Sequence, residues 1–555
     1  MDIIETSVLI IGGGPTGLTL ANFLGQGGVD TVIVDRKPST VAEPRGVSID
    51  DESLRSMQSV GLVSQVLQNV VPGYGVHYFT RAHGRRFAKV EPTASEYGYP
   101  RRNAFRQPLF EATLKEGLGR FACVNALFYH EVEHFEQDGP EAKGGVEAEV
   151  TRIEDGHRFR IRARYLIACD GGRSPVREAL GLRMVGSTFK SRWLVVDTDQ
   201  DDDPFSQMRV YCDAARPVLD VPGPQGTRRY EVLIHPHESA EDALLPEQMA
   251  AWLDPVRGKR PMHLVRKTVY TFHARMAERW QVGRIFLAGD AAHLTPPYAG
   301  QGMNSGVRDA VNLGWKLVAV LRGKLPEAIL ASYEDERRDH AWALIRLALN
   351  LGIVMAPSSR LSAWAWQSFL TLSGYIPPLR DYFLQMKFKP KPRFAKGLLG
   401  LPDGAGKHSL RGRMLPQPLV TAADGGTQLL DDLIGPGFAL IQYGGDDALP
   451  TLRHPLWRHL DARRIRILPA GSAMTASTGT VTVIDGADAL KMPLAPHDGQ
   501  ILLLRPDRYV AGAFRVSDET RFAEAYTATL GTGVGQNRHP TTETRAPDIA
   551  AAERI

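Results

Sequence analysis

Residues 8–17 of the sequence are Val8-Leu9-Ile10-Ile11-Gly12-Gly13-Gly14-Pro15-Thr16-Gly17. The apolar run predicts a short buried strand, and the glycines end it abruptly. Apolar residues then recur at helical spacing from Leu18 to Leu24, and residues 31–35 form a second, β-branched strand. Two strands joined by a helix form a βαβ unit, the start of a parallel sheet. The first 35 residues therefore predict a doubly wound α/β fold.

The glycine pattern in this unit predicts a dinucleotide site. Gly12, Gly14 and Gly17 have the spacing that permits a tight turn, close approach of a pyrophosphate, and packing of the helix on the strand. The helix N-terminus directs unpaired N–H groups at the phosphates. Asp35 ends the second strand eighteen residues after Gly17, where a carboxylate binds ribose hydroxyls and disfavours a 2′-phosphate. FAD or NAD is expected here rather than NADP.

A second pattern, in residues 285–304, indicates a flavin. An apolar strand ends in Gly289-Asp290, which puts one carboxylate at the carboxyl edge of the sheet, within reach of a ribityl hydroxyl. Residues 296–304 then lead into a helix. The N-terminal N–H groups and positive dipole end of this helix would stabilise negative charge on a reduced flavin ring.

A third pattern follows the apolar strand at residues 165–168. It is Cys169-Asp170-Gly171-Gly172-Arg173, which predicts a strand-to-helix turn. The sequence has no second strand-GxGxxG-helix unit and no redox cysteine pair. A nicotinamide cofactor would therefore reduce the flavin as a transient visitor.

In this order and spacing, over about the first 350 residues, the three elements resemble the para-hydroxybenzoate hydroxylase type of FAD-dependent aromatic hydroxylases. A closer likeness, to members that act on phenylpropanoid acids, rests on residues 43–46, 100–108, 336–341, 407–409 and 505–508. The resemblance implies that NAD(P)H and O2 are used to convert 3-(3-hydroxyphenyl)propanoate, and 3-hydroxycinnamate, to the catechols through a flavin C4a-hydroperoxide. Two alternatives stay open: the same chemistry on another phenol, such as a polyketide or drug-like aromatic, and a flavin-binding protein without hydroxylase activity.

The resemblance also assigns site residues. It implies that Arg45 and Gln107 contact FAD, that Asp290 binds the ribityl chain, and that Asp170 and Arg173 serve FAD and the nicotinamide together. The complete set of predicted cofactor-binding residues is Gly12, Gly14, Pro15, Thr16, Gly17, Asp35, Arg36, Arg45, Gln107, Asp170, Arg173, Gly289, Asp290, Gly300, Gly302, Met303 and Asn304. No metal site is predicted.

The substrate pocket is less legible in the sequence. Tyr211 and His235 lie in strand-like segments and are candidates to relay a phenolic proton, and Tyr298 is a candidate substrate contact beside the flavin ring. An ordinary packed role is the alternative for each. His293 is expected to be structural rather than a base. A substrate carboxylate would need a cation, for which the candidates are Arg216 and Arg229.

Changes in local composition along the chain predict the domain organisation. Residues 185–275 consist of strand-like pieces separated by Pro and Gly clusters, and residues 387–407 are rich in Lys, Pro and Gly. The predicted division is an FAD-binding domain over 1–184 and, with additional helices, 276–386; an inserted, mostly antiparallel substrate-binding sheet over 185–275; a linker with solvated charges over 387–407; and a thioredoxin-like domain without redox cysteines over 408–555.

Composition narrows the class of protein further. The 555 residues carry 66 basic and 62 acidic side chains, with no dominant charged block, so no nucleic-acid partner is expected. No apolar run reaches the roughly 18 residues of a membrane span. Three unpaired cysteines fit a reducing cytoplasm. The resemblance adds that the chain forms a homo-oligomer.

Overall fold

The computed structural model describes residues 2–137, 144–474 and 478–532. Its first part contains the predicted βαβ unit, and the glycine turn joins the buried end of the first strand to the first helix. The elements of this part are β1 Ile3–Ile11, α1 Pro15–Gln26, β2 Thr31–Asp35, β3 Ser48–Asp50, α2 Asp51–Ser59, α3 Val63–Leu67, β4 Val70–Pro72, β5 Val76–Phe79, β6 Arg86–Val90, β7 Arg102–Phe105, α4 Gln107–Leu118, β8 Val124–Phe128, β9 His130–Gln137, β10 Val146–Arg152, β11 Arg158–Ala168 and α5 Pro175–Ala179.

The middle part contains the inserted strands and then long helices. Its elements are β12 Met184–Asp199, β13 Met208–Tyr211, β14 Val218–Pro222, β15 Arg228–Ile234, α6 Ala240–Ala243, α7 Pro246–Arg257, β16 His263–Ala277, β17 Gln281–Val282, β18 Ile285–Leu287, β19 His293–Leu294, α8 Gly302–Leu321, α9 Ser332–Met355, α10 Arg360–Ser373 and α11 Pro377–Leu384.

The C-terminal part is a third α/β unit. Its elements are β20 Leu419–Thr421, β21 Thr427–Leu429, α12 Leu430–Ile434, β22 Ala439–Tyr443, α13 Pro455–His459, β23 Arg463–Pro469, β24 Val481–Asp485, α14 Lys491–Leu494, β25 Ile501–Leu504, β26 Val510–Phe514 and α15 Glu519–Leu530.

The first sheet has the strand order β17-β18-β11-β1-β2-β8, and β9 and β10 extend it beside β11. Its central strands are parallel to one another. Their segments near the carboxyl edge, such as residues 8–11 and 165–168, are continuously apolar because helices cover the sheet there. The parallel α/β fold predicted from residues 8–35 is confirmed.

The second sheet is the predicted insert, with the order β19-β16-β12-β15-β14-β13-β5-β6. Most neighbours are antiparallel, whereas β13 runs parallel to β5. Strands β5 and β6 precede the insert in the chain, so the sheet draws on residues outside 185–275. Short strands within a long loop do not reveal their pairing partner in the sequence, which is why the two strands were assigned to the first domain.

The two faces of the second sheet bury different clusters, as the period of two requires. One face packs Trp193, Met208, Val210 and Phe272. The other packs Leu194, Tyr211 and Tyr230 against helix α7. Only the first face also contacts Tyr298, which lies just before α8.

The C-terminal sheet has the order β21-β20-β24-β23-β22-β25-β26, with parallel strands at its centre and an antiparallel pair, β25 and β26, at one edge. This mixed sheet agrees with the predicted thioredoxin-like fold. The unit shares an apolar core with the first domain, where the rings of Trp315 and Phe438 lie 5.7 Å apart.

The segment 387–407 differs from the predicted linker with solvated charges. The described chain has no α-helix and no β-strand here, yet Phe394 and Leu398 are buried. The amine of Lys389 lies 3.0 Å from carboxylate oxygens of both Asp50 and Glu52, and its side chain is 10% exposed. The expectation of a solvated face is wrong for Lys389 because α2 presents buried carboxylates that require a cation.

A buried ionic network joins the C-terminal unit to α8 and α9. Both terminal nitrogens of Arg505 donate to the carboxylate of Glu336, at 2.6 and 2.7 Å, and one of them also binds Asp507 at 2.7 Å. Lys316 donates to Glu336 at 2.7 Å. Arg505, Glu336 and Lys316 are all completely inaccessible to solvent.

No single helix in residues 2–137, 144–474 and 478–532 is long and apolar enough to cross a membrane; one pair, Glu327–Met355 with Arg360–Ser373, meets the length and composition criteria together but bends by 106° at the break between its helices.

Replacing Arg505 should test the stabilising role of the network. We expect Arg505→Met to lower the free energy of unfolding by about 3–5 kcal/mol, because it leaves the buried Asp507 carboxylate without a cation and the buried Glu336 carboxylate with Lys316 alone. Urea unfolding followed by tryptophan fluorescence measures this. Arg183→Met is the matched control, because Arg183 pairs with Glu278 but its own side chain is 84% exposed. This variant should change the free energy of unfolding by no more than about 1 kcal/mol. A loss of that small size for Arg505→Met would contradict the assignment.

Candidate FAD and substrate site

Four neighbouring parallel strands end at one edge of the first sheet, and each end carries a predicted motif. In the spatial order β18, β11, β1, β2, these ends lead into Asp290, Asp170, the glycine turn and Asp35. The carboxyl edge of a parallel sheet is the usual place for a bound ligand in such folds. The structure therefore brings together elements that lie up to 278 residues apart in the chain.

The glycines of the turn have different tasks. Gly12 has φ +110°, and a Cβ there would lie 2.3 Å from the carbonyl oxygen of Cys169 on the neighbouring strand. A Cβ on Gly17 would lie 2.0 Å from the carbonyl oxygen of Gly12. A Cβ on Gly14, by contrast, would meet nothing within 4 Å. Two glycines thus permit close packing, and the third faces open space at the N-terminus of α1, where a pyrophosphate fits.

Asp35 and Thr16 organise the surroundings of the turn. The Asp35 carboxylate accepts hydrogen bonds from the amides of Gly13, at 2.6 Å, and Lys37, at 2.8 Å. The Thr16 hydroxyl lies where a Cβ on Gly289 or on Gly306 would clash, at 2.5 and 2.2 Å. Thr16 is therefore the contact that holds the glycine turn against the Gly289-Asp290 element and α8. Arg36 is exposed beside Asp35, and Pro15 is the first residue of α1.

Asp290 faces the cleft at the end of β18. Its side chain is exposed there, yet the protein surrounding it raises the pKa of its carboxyl, and the nearby His293 and Arg45 offset part of that effect. Within the described residues, no side chain or backbone group makes a hydrogen bond to this carboxylate. The carboxylate is thus available to a ligand hydroxyl. Arg45 lies close enough for its charge to lower the pKa of the Asp290 carboxyl.

Asp170 has a second carboxylate oxygen without a partner in the described chain. One of its carboxylate oxygens accepts from the amide of Val176 at 3.2 Å, whereas the other is buried and has no hydrogen-bond partner in the described chain. Burial raises the pKa of this carboxyl. Arg173 is exposed nearby, while Arg177 is buried and donates to the carbonyl groups of Gly172 and Ala291 at 3.0 and 3.1 Å.

The loop that carries Arg45 is held from three sides. Arg229 donates to the carbonyl oxygens of Pro44 and Arg45, and Arg266 donates to that of Pro44 at 2.9 Å. The side-chain oxygen of Gln107 accepts from the amide of Gly46. Gln107 therefore supports the loop, and Arg45 itself is exposed to the cleft.

The start of α8 forms the second helix N-terminus at the cleft. Gly300 has a left-handed conformation, with φ +61°, which suits glycine. The Asn304 side chain is fully buried, donates to the carbonyl groups of Ser48 and Gly300, and accepts from the amide of Asp50. Asn304 thus shapes the loop, Met303 packs on the core, and a Cβ on Gly302 would meet nothing within 4 Å.

These features fit FAD. Open space lies over Gly14 and Gly302 at two helix N-termini, and two carboxylates, of Asp170 and Asp290, keep unpaired oxygens towards the same sheet edge. A pyrophosphate and a ribityl chain have the complementary groups: anionic oxygens for helix N-termini and hydroxyls for carboxylates.

Beyond the cleft, an aromatic cluster lines the inner face of the second sheet. The ring of Tyr298 lies 5.8 Å from that of Trp193 and 5.7 Å from that of Phe272, edge to face in both cases. Burial raises the pKa of the Tyr298 hydroxyl well above its usual value, and the charge of Glu231 raises it further. Tyr298 therefore lies between the start of α8 and the inner face of the second sheet.

The other predicted pocket residues do not join Tyr298. Tyr211 packs against Phe79 on the opposite face of the sheet, and the His235 ring hydrogen-bonds the carbonyl of Ala215 at 2.6 Å. His293 is buried, and its ring nitrogen lies 2.7 Å from the Asp309 carboxylate, in line with its expected structural role. Neither predicted carboxylate partner is free, because Arg216 binds Glu238 and Arg229 binds Asp197.

Sequence reasoning missed Glu231. On β15 its neighbours Tyr230 and Val232 pack on the outer face, so Glu231 points to the inner face, where Tyr298 lies. It is 6% exposed, makes no hydrogen bond in the described residues, and has a single distant cation, Arg229, at 4.0 Å. Burial raises the pKa of its carboxyl. A charged residue between Tyr230 and Val232, in the apolar half of the strand, was the available signal.

Comparisons with known proteins agree with this geometry. The sequence model of the FAD binding domain matches residues 5–348, and that of the HcaD C-terminal domain matches residues 412–529. A 3-(3-hydroxy-phenyl)propionate/3-hydroxycinnamic acid hydroxylase of Escherichia coli (strain SMS-3-5 / SECEC) is 39% identical, over 99% of this chain and 97% of that protein. The enzyme of the same name from Klebsiella pneumoniae (strain 342) is 42% identical, over 91% of each chain.

This chain belongs to the FAD-dependent aromatic hydroxylases. Solved structures share the fold of this hydroxylase: the flavin-dependent monooxygenase PieE, with a TM-score of 0.78 and 21% identity, and aklavinone-11 hydroxylase, with 0.76 and 24%. Each comparison covers 96% of this chain and 100% of the other. The predicted fold, enzyme class and FAD cofactor are thereby confirmed.

Filling the space over Gly14 should abolish FAD binding by this hydroxylase. We expect Gly14→Val to weaken FAD binding at least about 100-fold, or roughly 3 kcal/mol, because the branched side chain occupies the place of the pyrophosphate. Titration of the apoprotein with FAD, followed by quenching of flavin fluorescence, measures this. Gly437→Val, another glycine with open space around it, is the control and should bind FAD normally. Normal binding by Gly14→Val would refute the assignment of the turn.

The raised pKa of Glu231 predicts a pH-dependent stability difference. A carboxyl that binds its proton more tightly in the folded state loses stabilising free energy as pH rises through the folded pKa. We therefore expect Glu231→Gln to gain melting temperature relative to the unsubstituted hydroxylase as pH rises above about 4.3, the ordinary pKa of glutamate. Thermal unfolding of the FAD-loaded protein across pH measures this, with the exposed Glu154→Gln as control. A melting temperature of Glu231→Gln that falls relative to that of the unsubstituted hydroxylase as pH rises would contradict this prediction.

Proposed function

We propose that this hydroxylase uses NAD(P)H and O2 to ortho-hydroxylate 3-(3-hydroxyphenyl)propanoate, and also 3-hydroxycinnamate, to the corresponding catechols. The observation that carries the proposal is the identity of 39–42% to hydroxylases named for these two substrates, over nearly the whole chain. The aromatic cluster on the inner face of the second sheet supports it, since the rings of Trp193, Phe272 and Tyr298 suit contact with a benzene ring.

The bound FAD supplies the redox chemistry and the activation of O2. The protein must exclude water, orient the ring and promote loss of the phenolic proton, because a phenolate is the more nucleophilic form. Trp193 and Phe272 provide an apolar wall against water. We assign Tyr298 as a hydrogen-bond partner of the substrate. Glu231 is the acceptor for the phenolic proton, since its carboxyl lies on the same face, makes no hydrogen bond in the described residues and has Arg229 only at 4.0 Å.

The nicotinamide cofactor binds transiently in this proposal. The described chain contains one glycine turn of the dinucleotide type, and that turn belongs to FAD. Asp170 and the exposed Arg173 border the same cleft and are the residues we assign to NAD(P)H contact. A cofactor that binds only transiently needs exposed contact residues rather than a second dinucleotide-binding domain.

We infer that the enzyme works in the cytoplasm as a homo-oligomer, with small molecules rather than nucleic acids as its ligands. Its three cysteines, Cys123, Cys169 and Cys212, are all free thiols. Free thiols are usual where glutathione and thioredoxin keep proteins reduced.

The decisive experiment mixes the FAD-loaded enzyme with NADH and 3-(3-hydroxyphenyl)propanoate and follows NADH, hydrogen peroxide and aromatic product together. We expect the substrate to accelerate NADH loss and the catechol to appear nearly one for one. Acceleration with mostly peroxide would favour another phenol, such as a polyketide or drug-like aromatic. No acceleration by any phenol would indicate a flavin protein without hydroxylase activity.

Variants on the two faces of the second sheet should distinguish residues that contact the substrate from residues that only support the sheet. We expect Tyr298→Phe to lower kcat/KM about 5-fold, the value of one hydrogen bond of about 1 kcal/mol. Glu231→Gln should lower hydroxylation about 100-fold and flatten its pH profile, as loss of a general base does. Tyr211→Phe, on the opposite face, is the matched control and should leave both unchanged. A defect in Tyr211→Phe with normal Tyr298→Phe and Glu231→Gln would reverse the assignment.

A further inference from the structure

Helices α10 and α11 expose an unusually large apolar face. Tyr375, between the helices, is 80% exposed, and Leu361 and Trp364 are 73% and 66% exposed. Leu361, Trp364 and Leu372 recur at helical spacing on α10, so they form one stripe, and Tyr375 follows just beyond the end of this helix. The α10–α11 face, as defined here, consists of Leu361, Trp364, Trp366, Phe369, Leu372, Tyr375, Ile376, Leu379 and Tyr382.

Ring contacts join the two helices at one part of this face. The Phe369 ring contacts those of Trp366, at 5.9 Å, and Phe383, at 6.3 Å, and Phe383 contacts Tyr382 at 5.4 Å. With about 150–250 Å² for a large side chain, the exposed fractions correspond to roughly 1,000 Å² of apolar surface. The largest apolar patch of an ordinary monomer is about 300–600 Å². One side of a standard protein interface is about 800 Å².

The inner side of the same helices packs against the aromatic cluster to which the proposed function assigns the substrate. Leu370 on α10 packs against the cluster that contains Trp193, Phe272 and Tyr298. The side-chain amide of Gln367 donates to the carbonyl of Cys212, at the end of β13, at 3.1 Å. The pocket wall and the α10–α11 face are thus the two sides of one helix layer.

The charges around the face favour a protein partner over an anionic membrane. Residues 360–384 contain three charged side chains, Arg360, Arg380 and Asp381, so the face carries little net charge. The nearby Lys389 and Lys391 are already paired, with carboxylates of Asp50 and Glu52 and of Glu96. Anionic lipids would need those amines free.

We propose that the α10–α11 face is the interface between two copies of this chain, related by a twofold axis. Self-association requires a self-complementary surface of low net charge, and the face has the area and composition for it. Burial of the outer side would also immobilise the wall of the substrate pocket. The second copy thereby contributes to the exclusion of water from the site.

The oligomeric mass tests this independently of the substrate. Sedimentation equilibrium of the FAD-loaded protein at micromolar concentration should give the mass of two chains. The double variant Trp364→Glu with Leu372→Glu should give one chain, with the dimer dissociation constant raised at least about 100-fold, as for central hydrophobic residues of interfaces. Met492→Glu is the matched control, because Met492 is 81% exposed in the C-terminal unit, and it should remain dimeric. Bound FAD and near-ultraviolet circular dichroism confirm that each variant is folded.

Three outcomes would overturn the proposal. One is an unsubstituted protein with the mass of a single chain, and another is a double variant that still forms dimers as tightly. The third is a monomer that co-sediments with vesicles of phosphatidylcholine and phosphatidylglycerol through this face, which would assign it to a membrane. Because mass is read without substrate, a failure here is distinguishable from a failure of the proposed hydroxylation. If the dimer forms, the double variant should also release at least about 2-fold more peroxide per NADH, since its pocket wall is solvated.

Discussion

The site depends on the close approach of three backbone segments at the carboxyl edge of the first sheet. Gly12 allows the turn after β1 to pass against the carbonyl of Cys169 on β11, and Gly17 allows α1 to pack on the same turn. Thr16 then fills the space left by Gly289 and Gly306, on the β18 side and on α8. Any side chain at these glycines would separate the segments. The positions of Asp35, Asp170 and Asp290 relative to one another follow from this packing.

Local signals in the sequence were sufficient to predict this part of the molecule. Glycines at fixed spacing, strands with continuous apolar runs and carboxylates at strand ends each have a physical meaning that does not depend on distant residues. The inserted sheet was also recognisable from its short strands. Its pairing with β5 and β6 was not, because pairing is decided by residues far apart in the chain. Lys389 was misread for the same reason: its partners Asp50 and Glu52 lie more than 300 residues away.

The substrate pocket was predicted less well because the predictions rested on residue type. Tyr211 and His235 have suitable chemistry, but the direction of a side chain on a strand decides which cavity it faces, and Tyr211 faces α7. Arg216 and Arg229 have the charge that a substrate carboxylate needs, yet Glu238 and Asp197 already neutralise them. Only three-dimensional contacts show that a cation is in use. The same contacts show that the Glu231 carboxyl makes no hydrogen bond in the described residues and that its nearest cation, Arg229, lies 4.0 Å away.

Strand β15 connects the two halves of the site. Arg229 holds the loop of Arg45 through the carbonyl groups of Pro44 and Arg45, and Glu231, two residues later on the same face, borders the pocket. The two side chains are 4.0 Å apart, so a change in the charge of Glu231 alters the electrostatic balance that Arg229 shares with Asp197. Loss of a proton from Glu231 would draw Arg229 towards it and away from the loop. The Arg45 loop and the inner face of β15 therefore share one guanidinium group, which has two carbonyl and two carboxylate partners.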